Sequence, residues 1–328
     1  MKTTGEKYNR IQERMNPEIK WKLIRWFIFL GVIGIAISCE SNHSKERSAV
    51  EVDFSTPAVD GRHMESDDTS RALHIAIAAM TSPKETLNYY EELLHFVSKR
   101  MNQPIKIEQF KTYQEVNTHL ATRQIEMAFI CSGAYVEAKE QFPLEILVIP
   151  VIHNRTTYNA YIIVRQNSPI RKFEDLRGKS FAYTDPLSNT GRFYAEKRVQ
   201  ELGETPEKFF SKIIYTHAHD YSIQAVSRGI VDGASVDGLI YDYLRAVSPE
   251  KVKNVRILEI SEDYGIPPVV VHQKLDSTIK QKLRKIFMEM HLDPQGKKIL
   301  ERLHIDKFVE GTDADYSTVK RNLRFVTP

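Results

Sequence analysis

Residues 180-SFAYTDPLSNTGRF-193 pass from a short apolar run, Ser180 to Tyr183, through a polar loop into a segment of helical pattern. The loop carries Asp185, Pro186, Ser188, Asn189, Thr190 and Gly191, more turn-forming residues than a reversal needs. In open α/β sheets ligands bind outside the carboxyl ends of the strands, which is where this loop would lie. A helix beginning near Thr190 would add unpaired backbone N–H groups and the positive end of its dipole. Ser188, Asn189 and Thr190 add side-chain donors, and Gly191 lets an anion approach the backbone closely. Such a loop could hold a tetrahedral oxyanion without Lys or Arg. Alternatively, Ser188 or Thr190 could serve only as a helix N-cap, worth about 1 kcal/mol. Read by itself, the loop favours the capping role.

Working outward, the pattern is strand, helix, strand, helix from Ala72 onward, the signature of an α/β architecture with a largely parallel sheet. Leu73 to Ala79 is a short apolar run, and Leu87, Tyr90, Leu93, Leu94 and Val97 fall at the three-and-four spacing of one helix face over Thr86 to Met101. Ile105 to Phe110 reads as a strand, Val116 to Arg123 as a helix, and Met127 to Cys131 as a buried strand ending in the small-residue turn Ser132-Gly133-Ala134. Leu144 to Val151 and Tyr158 to Val164 are extended. Beyond the quoted stretch come a helix from Arg192 to Leu202, strands at Lys212 to Tyr215, Val255 to Ile260 and Val269 to His272, and helices from Ile279 to Met290 and Gly296 to Leu303. The expected domains are residues 72–160 with 260–328 as a first lobe and 161–259 as a second.

The amino terminus reads as a targeting segment. Lys20, Lys22 and Arg25 precede twelve uncharged, mostly apolar residues, Trp26 to Ile37, too few to span a hydrocarbon core of about 30 Å as a helix. Ending in Ser38-Cys39, residues 1–39 resemble a bacterial lipoprotein signal, with Cys39 the acylated residue and Met15 an alternative start; an ordinary signal peptide or an uncleaved anchor is the competing reading. Residues 40–71 are polar and charged without sustained periodicity, as a flexible tether would be. Cys131 is the only other cysteine, so no disulfide forms if Cys39 is lipidated. The 328 residues hold 46 basic and 43 acidic side chains, a formal charge of +3, which gives no support to nucleic-acid binding.

Four segments carry a family resemblance: 126-EMAFICSGAYVEA-138, 158-YNAYIIVRQNSPIRKFEDLRGK-179, 185-DPLSNTG-191 and 219-HDYSIQAVSRGIVDGASVD-237. From about Leu73 to Leu303 the chain resembles the phosphonate-, phosphate- and phosphite-binding receptors of ABC importers, which have the two-lobed type 2 periplasmic binding protein fold with a ligand cleft between lobes. The third segment is similar to that family's DPxSTSG loop, with Asn189 where Thr is usual. The resemblance implies closure of two lobes on a small oxyanion, with Tyr113 and Tyr158 from the first lobe and Ser188, Asn189, Thr190, Gly191 and His219 from the second. It also implies permease and ATPase partners, a monomer held to a bacterial membrane by its lipid, and no cofactor. The acidic residues that hold an aminoalkyl ligand in such receptors are replaced here by Pro267 and about Leu239, so phosphate, phosphite or a small alkylphosphonate fits better. Asp237 could substitute for them or cap a helix from Gly238 to Val247.

Other constellations compete. His217 and His219 have the spacing of a metal pair but no cysteine or clear acidic third ligand, and no metal is expected. His217 is expected to be exposed, and Arg192 to point to water. Ser188, His219 and Asp237 could be drawn as a hydrolase triad, yet the chain has no G-x-S-x-G elbow, and no enzyme is expected. Tyr89, Tyr90, Ser132 and Tyr135 lie where they could rim a cleft, and Cys131 reads as a buried thiol. Two functional classes stand: a receptor delivering a phosphorus oxyanion to a permease, and a lipoprotein of the same fold that senses ligand and signals to a membrane protein.

Overall fold

In the computed structural model, which describes residues 72–326, β1 (Leu73–Ile77) turns Leu73, Ile75 and Ile77 to one face. The signal segment, Cys39 and the tether lie outside the described residues, as does the side chain of Tyr89. α1 (Pro83–Met101) crosses over to place β2 (Ile105–Gln109) parallel to β1. α2 (Tyr113–Ala121) starts at a capping box: Thr112 accepts from the Glu115 N–H, and the Glu115 carboxylate accepts from the Thr112 N–H. β3 (Met127–Phe129) pairs with the other side of β1. Ser132-Gly133-Ala134, read as a turn, instead opens α3 (Ser132–Gln141), where their small side chains are buried in the first helical turn. β4 (Leu144–Val151), β5 (Thr157–Tyr158) and β6 (Ala160–Arg165) follow.

The quoted stretch supplies β7 (Ser180–Tyr183). The helix expected from Arg192 is preceded by one wide turn over Asn189–Phe193, in which the Phe193 N–H reaches back to Ser188 O at 3.0 Å, before α4 (Tyr194–Glu201). Then come α5 (Pro206–Phe209), β8 (Lys212–Tyr215), α6 (His219–Ser227), β9 (Gly233–Asp237), α7 (Gly238–Val247) and β10 (Val255–Ile260). The chain ends in β11 (Tyr264–Gly265), β12 (Val269–His272), α8 (Ser277–Glu289), α9 (Pro294–Arg302), β13 (Lys307–Val309) and α10 (Ser317–Val326). The sequence pattern did not announce α10, which packs on α3, α4 and the wide turn.

The strands form two sheets, β13-β4-β12-β3-β1-β2 and β10-β6-β9-β7-β8, with a ribbon of β5 and β11 between them in the chain path. The sheets are mixed rather than largely parallel. Parallel pairs occur where helices intervene in the chain, as in β1 with β2 and β7 with β8. β6 arrives from β5 without a helix and runs antiparallel to both β9 and β10. The chain therefore passes from the first sheet to the second after β5 and returns before β11, the two passes lying side by side.

Each sheet is covered on both faces, which its long apolar strands require. Val148, Val269, Val271 and Phe129 of the first sheet pack under α1 and α8 in a cluster with Leu93, Val97, Leu283 and Phe287. Ile163, Ala182, Ala234 and Val236 of the second pack with Ile223 and Val226 of α6 and with Tyr241 and Leu244 of α7. Phe287 is fully buried, its ring 5.0 Å from Phe308 and 6.1 Å from Phe129. Phe287→Ala would leave a cavity under the first sheet and should cost about 3–5 kcal/mol, read as a lowered denaturant midpoint at unchanged slope.

Candidate oxyanion-binding site

The loop after β7 is held from within by Asp185. One carboxylate oxygen accepts from the Leu187 N–H at 2.8 Å, and the other accepts from the Tyr113 N–H at 3.1 Å, across to the first residue of α2. Burial raises the Asp185 carboxyl, while these two N–H groups pull it down. Ser188 is the N-cap that one sequence reading foresaw, since its hydroxyl oxygen accepts from the Gly191 N–H at 2.9 Å. That bond uses the oxygen as acceptor and leaves the hydroxyl proton to be donated elsewhere, so capping and ligand donation are compatible. A Cβ on Gly191 would sit 2.6 Å from Thr184 Oγ1 and 2.8 Å from Ser188 Oγ, so only glycine lets the loop close this tightly.

His219 begins α6 and is fully buried. Its backbone N–H donates to Met80 O at 3.0 Å, and its Nδ1 accepts from the Asp237 N–H at 3.0 Å, with the Thr184 hydroxyl 3.1 Å from the same nitrogen. A backbone N–H can only donate, so Nδ1 carries no proton and the ring's hydrogen resides on Nε2. Burial lowers the His219 pKa from 6.5 to about 3, keeping the ring neutral near pH 7. Nε2–H is thus a fixed, uncharged donor, buried and without a partner among the described residues.

Three further side chains share that condition: the Tyr113 hydroxyl, the Thr190 hydroxyl and the Asn189 amide nitrogen. Burial pushes the Tyr113 phenol well above its ordinary value, and the neighbouring Cys131 and Asp185 add to this, so it remains a donor. A buried polar group left unpaired costs about 1–3 kcal/mol, and four gathered around one loop form a donor set suited to an acceptor with several lone pairs. No charge on the protein is needed for this. Arg192, the cation next to the loop, is drawn off by Glu196 at 2.7 Å and Pro186 O at 2.9 Å rather than pointing to water.

Asn189 is held by an element the sequence did not reveal: Asn322 of α10 donates to its side-chain oxygen at 3.0 Å. Tyr158 is buried, and its hydroxyl lies 2.6 Å from Ser132 Oγ. Cys131 is buried as expected, but its sulfur lies 3.9 Å from Ser188 Oγ, against the loop itself. Asp237 caps α7, its Oδ1 accepting from the Leu239 and Ile240 N–H groups at 2.8 and 3.4 Å. Tyr135 does not rim a cleft; it is buried, with its ring 4.6 Å from Tyr316 and its hydroxyl donating to Asp313. His217 is half-buried rather than exposed, because its N–H is tied to Thr184 O at 2.7 Å. The sequence reading missed Asp185 as the loop's anchor, although an Asp two residues before a turn N–H is a recognisable Asx signal.

This fold, with two sheets joined by paired crossings, is that of the two-lobed periplasmic binding proteins. It matches a binding protein component of an ABC phosphonate transporter from Pseudomonas aeruginosa (TM-score 0.74, 21% identity, 78% of this chain and 87% of that one). It also matches PhnD1 from Prochlorococcus marinus (MIT 9301), solved in complex with methylphosphonate (TM-score 0.69, 16% identity, 77% and 97%). In sequence, the chain is 22% identical over 262 residues to the phosphonates-binding periplasmic protein of Escherichia coli (strain K12), covering 78% of this chain and 77% of the relative. Residues 75–316 match the family described as "ABC transporter, phosphonate, periplasmic substrate-binding protein", and the chain belongs to that family. It is the phosphonate-binding periplasmic component of an ABC transporter.

Burial raises the Asp237 carboxyl from 3.8 to about 7, against the pull of its two cap N–H groups. For an acid raised on folding, the folded state binds more protons than the unfolded one between pH 3.8 and 7, so stability falls as pH rises through that window. His219 acts oppositely, losing stability as pH falls from 6.5 towards 3. Asp237→Asn keeps an N-cap oxygen and removes only the first trend. The melting temperature of Asp237→Asn minus that of the unmodified chain should therefore grow by several degrees between pH 4 and pH 7 and level off above. A difference independent of pH would show that Asp237 is not charged at a cost in the fold.

Proposed function

We propose that Ser188, Asn189, Thr190, Gly191, His219 and Tyr113 hold the oxygens of a phosphorus oxyanion, with Tyr158 and Asp237 beside them, and that residues 72–160 with 260–328 and residues 161–259 close on it as two lobes. The observation that carries this reading is the set of four buried, unpartnered donors, led by His219 Nε2, supplied from both sides of the chain's double crossing. A desolvated anion requires its lone pairs to be satisfied, and neutral donors in a water-poor site do so without a cation. The contacts across the two sheets suit a clamp: Ser82 N–H to Asp220 at 2.8 Å, Tyr113 N–H to Asp185 at 3.1 Å, and Asn322 to Asn189 at 3.0 Å. A ligand touching both lobes favours the closed arrangement by its differential affinity.

In this reading Cys39 is acylated and holds the receptor at the membrane surface, residues 40–71 give it reach, and the closed receptor delivers ligand to its permease and ATPase as a monomer. Membership of the transporter family favours delivery over signalling to a sensor. Its function is carriage, with no chemical change to the ligand.

Titration calorimetry of the full chain in mild detergent against phosphate, phosphite, methylphosphonate and 2-aminoethylphosphonate tests the reading. At least one should bind in the micromolar range or tighter, and nothing better than millimolar would sink it. Ser188→Ala combined with Thr190→Ala should weaken that ligand about a hundredfold or more, as loss of two hydrogen bonds to a charged group predicts. Unchanged affinity would return the loop to a purely capping role.

A further inference from the structure

The donors described above are fully buried, and none of Ser188, Thr190, His219 or Tyr113 lines the large cavity next to them. That cavity has a volume of about 610 Å³ and lies between the carboxyl ends of β1 and β3, the entry to β12, and the first two turns of α7. It shares walls with the oxyanion site at three places. Met80, on its wall, accepts from the His219 N–H. Asp237, also on its wall, donates its N–H to His219 Nδ1. Ile130, a third, precedes Cys131, whose sulfur faces Ser188. The cavity thus adjoins the donor set through these three residues.

The walls state what kind of group the space suits. From the first sheet and the entry to β12 come Ile77, Phe129, Ile266, Pro267 and Val269, with the Tyr90 ring tilted against Phe129 at 4.9 Å. From α7 come Leu239 and Ile240, both half-buried and both immediately after the capping residue, where the helix start faces the cavity. Of the charged groups that reach the cavity, Asp242 and Arg245 pair at 2.9 Å, Asp242 also accepts from the Tyr161 hydroxyl, and Asp237 spends Oδ1, but not Oδ2, on two N–H groups of α7. His304 lies against the ring of Tyr243 at 5.1 Å. The volume is in the range of about 300–1,000 Å³ typical of small-molecule sites, well beyond what a methyl group fills.

We propose that the ligand carries an uncharged, apolar alkyl or aryl substituent larger than methyl, seated against Leu239, Ile240, Tyr90, Ile266 and Pro267, while its phosphoryl oxygens occupy the adjoining donor set. The proposal rests on the reading in the preceding subsection and specifies its substrate class. An ammonium-bearing substituent is disfavoured, since it would lose its hydration against this largely apolar wall and meet chiefly Asp237 Oδ2, on a carboxyl that burial biases towards its neutral form.

Two nearly isosteric probes decide the matter: n-propylphosphonate and 2-aminoethylphosphonate differ in a terminal methyl against an ammonium. Calorimetry on the full chain in mild detergent should show affinity rising about fourfold per added methylene from methyl- to propylphosphonate, the value of burying one methylene. Propylphosphonate should bind about tenfold or more tightly than its amino counterpart. Leu239→Glu, checked for folding by its thermal melt, should reverse that order. If methylphosphonate binds but the propyl compound is no tighter, or the amino compound is tighter, the apolar-substituent proposal is overturned and the oxyanion reading survives. Binding of none of the phosphonates overturns this proposal, and the oxyanion reading falls with it if phosphate and phosphite also fail to bind.

Discussion

The backbone N–H of Asp237 fixes the character of the whole site. Donated to His219 Nδ1, it confines the ring's only proton to Nε2 and so turns a residue able to donate or accept into a pure donor. The same residue ends β9 and caps α7, so the end of a strand, the start of a helix and the histidine tautomer are set by one position. Burial then keeps the ring uncharged. The donor is directional without carrying a positive charge that would have to be neutralised when the site is empty.

In the proposed reading, that arrangement lets an anion be held without a bound Lys or Arg. A buried cation would need a permanent partner, and in such a pair most of the Coulomb attraction is offset by desolvation. Hydroxyls, an amide and a neutral imidazole each carry a smaller desolvation cost. They are held in place by bonds that leave one hydrogen free: Ser188 through its acceptor bond to Gly191, Asn189 through its oxygen to Asn322. Asp185 contributes no donor, yet its two bonded oxygens join the loop to the start of α2 and set where Tyr113 stands.

Much of this was legible in the linear chain, and for local reasons. The short apolar run at β1, the three-and-four spacing in α1, and a polar loop between a strand and a helix are short-range patterns, and the structure contains all three. The resemblance carried by DPLSNTG and the His219 segment pointed to the family that the match over residues 75–316 gives. The errors came where distant elements intervene. Ser132-Gly133-Ala134 reads as a turn by composition, but a Cβ at Gly133 would lie 2.3 Å from Leu187 O, so small residues are there for close approach inside a helix. Arg192 and His217 were given to solvent, whereas Glu196, Pro186 and Thr184 engage them. The parallel-sheet expectation failed because strands entering directly from the crossing reverse direction.

The sequence by itself determined which residue types could bind an anion and that they sit at a strand end, because both are properties of neighbours along the chain. Only the tertiary structure decided which hydrogens remain available, since that depends on partners far apart in sequence: Asp237 for His219, Asn322 for Asn189, Ser132 for Tyr158. It also decided that Leu239 and Pro267, separated by 28 positions of chain, face one apolar space beside the donors. Hydrogen-bond availability and cavity shape are sums over contacts in three dimensions, and no local pattern encodes them.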